Sequence, residues 1–225
     1  TQSWKQKSFG KAWLLGDTVN ASIGQGYVLA SPLQLAIMAA RLGTGRALQP
    51  RLVQSIDETA MPLGTGAPLD VDPEHLKVVQ RAMFAVTNTK QGTAFSKRIA
   101  SPDLQMAGKT GTAQVRRITA EERLTGVIRN EDLPWEKRDH ALFVDYAPYD
   151  NPKVAVAVVV EHGGGGSSTA APIARDITLF ALTGEMPAPS HYPAGLEAQI
   201  KEEQEELVPK LFDWSTLDKK GQVQT

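Results

Sequence analysis

The sequence contains no cysteine among its 225 residues. This absence excludes thiol catalysis, disulfide bonds and cysteine-ligated zinc sites. Histidine is scarce as well, and its positions do not show a metal-ligand spacing such as H-E-x-x-H. We therefore predict that the protein uses no metal and no cofactor. The histidines are His75, His140, His162 and His191.

Neither sign of charge is in excess, because 24 Lys and Arg residues balance 25 Asp and Glu residues. This balance supplies no electrostatic reason to predict a nucleic-acid partner. Long apolar segments are absent too: the longest run, Val154 to Val160, has the length of a strand rather than of a membrane-spanning helix. The chain begins at Thr1 in polar sequence without a signal peptide. We expect it to be a C-terminal piece of a longer protein.

The segment Ala107 to Gln114 carries the most informative motif, Lys109-Thr110-Gly111, which is followed by Thr112. A Lys, a hydroxyl residue and a Gly in this order occur in the active sites of penicillin-recognising serine enzymes. The ammonium places positive charge beside a substrate carboxylate, and the hydroxyl donates a hydrogen bond to it. The Gly lets substrate lie against the backbone, and Thr112 offers a second hydroxyl and an N–H for an oxyanion.

The same residues, Gly108-Lys109-Thr110, also resemble the end of a phosphate-binding loop. That loop requires a Gly at position 103, where this sequence has Asp103, and a helix directly after the Lys. The β-branched residues after Lys109 favour a strand instead. A nucleotide-binding enzyme therefore remains an alternative with weaker support.

Several further sequence segments point to one protein family. Their joint occurrence in this order is more specific for the family than any single segment. Together they resemble class B penicillin-binding proteins, in particular those that act in the elongation of rod-shaped cells. The resemblance covers roughly Trp13 to Leu182. The blocks are Gly16 to Gly26, Pro32 to Ala36, Gln91 to Ala94, Gly108 to Val115, His140 to Pro148, and Val154 to Gly166.

The resemblance implies an α/β fold of the β-lactamase and D,D-peptidase type, with a mainly antiparallel sheet flanked by helices. Residues 1–184 would form the C-terminal part of this transpeptidase domain, and the nucleophilic Ser would lie upstream of Thr1. The implied reaction is the cross-linking of peptidoglycan stem peptides by serine acyl transfer at the periplasmic face of the bacterial inner membrane. The implied partners are a donor stem peptide ending in D-Ala-D-Ala, an acceptor amine, β-lactams, a membrane glycosyltransferase and elongation-machinery proteins.

The family motif also implies a role for each residue that matches it. Lys109 would be catalytic, because its charge orients the proton network around the nucleophile. The Thr110 and Thr112 hydroxyls would bind the substrate carboxylate, the Thr112 N–H would form half of an oxyanion hole, and Gly111 would let the donor peptide pair along the strand. Asp145 stands where the family usually has a small residue. A non-catalytic module that binds peptide termini is a further alternative.

Two upstream segments mimic the remaining motifs of this enzyme class. Ser8-Phe9-Gly10-Lys11 satisfies S-x-x-K, and Thr18-Val19-Asn20 satisfies a loose [ST]-x-N. A nucleophilic Ser must begin a buried helix, so that the Lys lies one turn further on. Gly10 and the polar segment Ser3 to Ser8 do not favour such a helix. We therefore interpret both segments as chance matches.

Spacing and end signals predict the secondary structure. Thr1 to Gly16 is predicted to be loop, Gly163 to Gly166 a flexible connector, and 185–225 a Pro-rich and acidic tail that is disordered or loosely helical. The predicted helices are Pro32 to Arg41, Pro73 to Thr87, Ala120 to Leu124 and Ala171 to Leu182, and the predicted strands are Arg51 to Ile56, Gln105 to Val115, Ala141 to Ala147 and Val154 to Glu161.

Overall fold

A computed structural model describes residues 1–62 and 64–207. Within these ranges no helix combines the length and apolar character needed to cross a membrane. The helices are α1 (Gln2–Phe9), α2 (Leu15–Ser22), α3 (Pro32–Thr44), α4 (Pro73–Asn88), α5 (Ala120–Thr125), α6 (Ala171–Thr183) and α7 (Glu197–Leu207). The strands are β1 (Ser55–Ile56), β2 (Thr59–Ala60), β3 (Ala107–Ala113), β4 (His140–Ala147) and β5 (Val154–Val160).

The centre of the fold is an antiparallel sheet with the strand order β3-β4-β5. Neighbouring residues of one strand point to opposite faces of the sheet. On β4, the ring of Tyr146 packs against Gly43 of α3, whereas Asp145 contacts Thr178 of α6. The two helices therefore cover opposite faces, and the predicted antiparallel sheet flanked by helices is confirmed. The core between α6 and the sheet includes Phe143, Ala174 and Leu179.

The helices with clear end signals lie where the sequence predicts them. The Ser31 hydroxyl accepts from the Gln34 N–H, and the Gln34 side chain accepts from the Ser31 N–H, which forms a capping box at the start of α3. Gly45, at φ 67°, ends this helix in the left-handed conformation. The Asp72 carboxylate caps α4 by accepting from the Glu74 N–H. The prediction for Arg51 to Ile56 was too long, because only Ser55–Ile56 forms a strand.

The prediction that Thr1 to Gly16 is loop was wrong, since α1 and the start of α2 lie there. The Lys5 ammonium donates to the Asp17 carboxylate at 2.5 Å and so joins the two helices. This bond lowers the pKa of Asp17. The aromatic side chains that cluster beside it are Trp4, Phe9, Trp13 and Tyr27. The ion pair and the ring contacts of Tyr27 join residues distant in sequence, so local spacing does not reveal them.

In residues 185–207 the structure shows a helix, α7, which fits the helical alternative predicted for the tail instead of the disordered one. Tyr192 and Ile200 are buried in the cluster that packs under α6, and the Arg175 guanidinium lies 4.5 Å from the Tyr192 ring. These long-range contacts stabilise α7 although its own sequence is mostly acidic. Residues 208–225 of the predicted tail lie outside the described residues, and the boundary at residue 184 stays a prediction.

Asp145 is fully buried on β4, and the structure supplies a partner that the sequence did not reveal. The Thr178 hydroxyl donates to one carboxylate oxygen at 2.9 Å, and the other oxygen has no hydrogen-bond partner among the described residues. Burial raises the pKa of this carboxyl to about 8. The protonated form is therefore the one that the fold favours near neutral pH.

We expect Asp145→Asn to stabilise the protein at high pH. The pKa of Asp145 rises from an ordinary value of 3.8 to about 8, so wild-type stability should fall between those two pH values as the unfolded chain ionises first. The variant removes this penalty and should gain up to about 5 kcal/mol at pH 8, but less than about 1 kcal/mol at pH 4. Urea unfolding at both pH values measures the difference, with exposed Asp150→Asn as the control. An identical pH slope in wild type and variant would contradict the assignment.

Candidate active site

The motif residues Lys109 to Thr112 lie side by side on β3, whose outer edge is not paired with another strand in the part of the chain that the structure describes. The Thr112 carbonyl accepts from the Gln25 side chain at 2.8 Å instead of from β4. In an antiparallel pair, the N–H and C=O of one residue face the same side. The Thr112 N–H therefore points to the open edge as well.

A groove of about 290 Å³ runs beside this edge. The Lys109 side chain is exposed at the groove, and its ammonium donates to the Thr110 carbonyl at 2.7 Å. An ammonium and two hydroxyls beside an apolar groove are suited to a peptide that ends in a carboxylate. The residues that line the groove are Ile23, Gly24, Gln25, Leu35, Met38, Lys109 to Ala113, Leu142 and Val144.

The position of β3 is held by the end of α4 and by the sheet. The Thr87 hydroxyl and the Asn88 amide both donate to the Met106 carbonyl, at 2.6 and 2.9 Å. Gly108 lies against the Phe143 ring and the Val144 carbonyl, and a Cβ at this position would overlap both. β3 therefore has little freedom to shift relative to α4 and the rest of the sheet.

The loop between β5 and α6 also contacts the motif. Gly166 is buried against the carbonyl oxygens of Gly111 and Leu142, and a Cβ at position 166 would lie closer to both than van der Waals contact allows. The segment that was predicted to be a flexible connector thus includes a residue packed directly on the motif strand. Nothing in the local sequence separates this glycine from Gly163 to Gly165.

Thr93 is a site residue that the sequence reasoning did not single out. Its hydroxyl lies 3.1 Å from the Thr110 hydroxyl, across a separation of 17 residues. The sequence marks Gln91 to Ala94 only as one of the blocks of the family resemblance. No local signal identifies its threonine, because the contact exists only once α4 packs beside β3.

An ion pair holds the charged segment that follows β3. The Arg116 guanidinium donates two hydrogen bonds to Glu122, at 2.6 and 2.8 Å, and the Thr119 N–H donates to the same carboxylate. These bonds lower the pKa of Glu122 to about 2, and the hydrogen bonds from Arg116 have the largest effect. The charged segment beside the motif is therefore ordered around α5, the short helix that the sequence predicted.

The structure argues against two other motif assignments that the sequence allowed, a nucleophilic Ser8 with Lys11 and a phosphate-binding loop at Lys109. Ser8 lies in the last turn of α1, and Lys11 follows Gly10 at φ 65°, so this pair does not begin a helix. Lys109 lies within a strand that continues to Ala113, whereas a phosphate-binding loop requires a helix at that point. The nucleotide-binding alternative therefore lacks its structural element. Across residues 1–62 and 64–207, no three His, Asp or Glu side chains are grouped as metal ligands.

The similarities to known proteins agree with the fold. The penicillin binding protein transpeptidase domain model matches residues 3–179. The chain is 36% identical to the peptidoglycan D,D-transpeptidase MrdA of Haemophilus influenzae over 215 residues, which is 92% of this chain and 32% of that protein. The chain therefore belongs to the penicillin-binding protein transpeptidase family.

Solved structures show the same similarity. A crystal structure of Pseudomonas aeruginosa PBP2 in complex with WCK 5153 matches 86% of this chain and 40% of that chain, with 36% identity and a TM-score of 0.63. The complex between PBP2 and MreC from Helicobacter pylori matches 82% of this chain and 31% of that chain, with 31% identity and a TM-score of 0.63. The chain spans about a third of the length of its MrdA relative.

Proposed function

We propose that this chain is the C-terminal part of the catalytic domain of a peptidoglycan D,D-transpeptidase that acts in cell-wall elongation. The observation that carries the proposal is the placement of Lys109 to Thr112 on an open strand edge beside a groove. The family membership and the similarity to MrdA support it.

In the proposed reaction a serine attacks the penultimate D-Ala carbonyl of a donor stem peptide, and the terminal D-Ala leaves. The amine of a neighbouring stem peptide then takes the acyl group and closes a cross-link. The serine would lie in a part of the protein that precedes Thr1. β-Lactams would react as mimics of the donor and leave a stalled acyl-enzyme.

The motif residues would stabilise the charges that develop in this reaction. Lys109 would supply positive charge beside the nucleophile, and the Thr110 and Thr112 hydroxyls would bind the terminal carboxylate. The Thr112 N–H, which faces the open edge, would hold the oxyanion of the tetrahedral intermediate. Gly111 would let the donor peptide approach the backbone.

The partners and the location are part of the proposal. The H. pylori relative forms a complex with MreC, which supports a similar elongation-machinery partner for this protein. We extend the proposal to a membrane glycosyltransferase and to the periplasmic face of the inner membrane, where peptidoglycan cross-linking takes place.

Covalent labelling by a fluorescent penicillin tests the proposal. The full-length protein should be labelled, and Thr110→Val should lower its acylation rate constant by roughly tenfold, because a hydrogen bond to a charged group contributes about 1.5–3 kcal/mol. The matched control is Thr59→Val, an exposed threonine on β2, which belongs to a separate two-stranded sheet. Absence of labelling in the full-length protein would favour a non-catalytic peptide-binding module. Wild-type rates in Thr110→Val would remove this residue from the site.

A further inference from the structure

We propose that Thr93 is a positioning residue that orients the Thr110 hydroxyl toward the carboxylate of the substrate. The inference rests on the proposed function, because it assigns a carboxylate-bearing ligand to the groove. Thr93 lies outside the motif itself, in the turn between α4 and the segment that leads to β3.

The two hydroxyl oxygens are 3.1 Å apart, so one of them donates its proton to the other. A hydroxyl has one proton to donate and two lone pairs to accept with, whereas a carboxylate only accepts. If Thr110 donated to Thr93, it would have no proton left for the substrate. A bound carboxylate therefore selects the direction in which Thr93 donates to Thr110 and Thr110 donates to the carboxylate.

The backbone around Thr93 is held from two sides. Gly92 lies so close to the carbonyls of Ala85 and Val86, in the last turns of α4, that a Cβ would overlap them, and the Ala94 N–H donates to the Val86 carbonyl at 3.0 Å. From the other side, the Ser167 hydroxyl donates to the Thr93 carbonyl at 2.5 Å.

The Thr93 side chain is nevertheless exposed and points to the motif instead of the core. An exposed hydroxyl on a rigidly held backbone has little conformational freedom to lose when it makes a directed hydrogen bond. The arrangement thus resembles the second layer of groups that orients a binding residue, and Ser167 extends it to the loop before α6.

The first test measures acylation of the full-length protein by a fluorescent penicillin. Thr93→Val should lower the second-order rate constant by about tenfold, and Thr93→Ser should restore it to within twofold, because it retains the hydroxyl. The double variant with Thr110→Val should be no slower than Thr110→Val alone, since both changes break one chain of hydrogen bonds.

A second measurement separates positioning from a structural role. The methyl ester of the same penicillin has no anionic carboxylate, so Thr93→Val should acylate with it at the wild-type rate. A matched pair on the neighbouring loop provides a control: Ser167→Ala should slow acylation by the penicillin acid about threefold. Ser168→Ala, whose hydroxyl donates to the Gly165 carbonyl, should leave the rate unchanged.

The possible outcomes are distinct. Wild-type rates in Thr93→Val, losses that multiply in the double variant, or an equal loss with the methyl ester would each overturn the inference while the proposed function stands. A wild-type protein that no penicillin labels would overturn both. If Thr93→Val fails to fold, Thr93→Ser and the two alanine variants test the inference instead. Slow acylation of Thr93→Ser, or equal acylation rates in Ser167→Ala and Ser168→Ala, would reject the positioning role of Thr93.

Discussion

Replacing Lys109 by alanine in the full-length protein should lower the acylation rate constant for a fluorescent penicillin by at least a hundredfold. The ammonium is the one positive charge that the motif places at the groove, and its loss would remove attraction for the substrate carboxylate and order in the proton network. A hundredfold loss corresponds to about 3 kcal/mol in the activation barrier.

The fold should tolerate this change, because the Lys109 side chain is exposed and its ammonium contacts a neighbouring carbonyl instead of the core. Thermal unfolding of the variant should therefore match the wild type. Lys153→Ala, which removes an exposed lysine from the turn between β4 and β5, is the matched control and should keep full acylation. An acylation rate within threefold of wild type in Lys109→Ala would contradict the catalytic role.

Gly166→Ala should destabilise the protein by roughly 3 kcal/mol, since inserting a methyl group into a packed site forces the backbone to shift. The atoms in its way are the carbonyl oxygens of Gly111 and Leu142, which belong to the sheet and cannot rotate aside as a side chain would. Either the loop before α6 or β3 itself has to move. We expect a lower midpoint of thermal unfolding and, because Gly111 is displaced, slower acylation.

Gly16→Ala is the matched control for this substitution. Gly16 lies within α2, and a Cβ at this position would meet no atom within 4 Å. Alanine is also the better helix former, so this variant should be as stable as wild type or more stable by about 0.5–1 kcal/mol. Equal unfolding midpoints for Gly166→Ala and Gly16→Ala would show that the loop packs less tightly than the structure indicates.

Elements whose signals are local could be predicted from the amino-acid sequence. Ser31-Pro32 and Asp72-Pro73 mark the starts of α3 and α4, and Gly45 marks an end, because caps and left-handed turns depend on a few adjacent residues. The apolar runs in β4 and β5 predicted strands for the same reason. The motif Lys109 to Thr112 was found by its order alone, and its catalytic and binding roles remain predictions.

Contacts between residues that are distant in sequence became known from the three-dimensional structure. It paired Lys5 with Asp17 and thereby ordered α1, buried Tyr192 and Ile200 beneath α6, and supplied Thr178 as the partner of Asp145. It also set Thr93 beside Thr110 and Gly166 against Gly111, which completes the candidate site. These contacts depend on how the helices pack on the sheet. That packing involves many residues distant in sequence, so local spacing does not predict it.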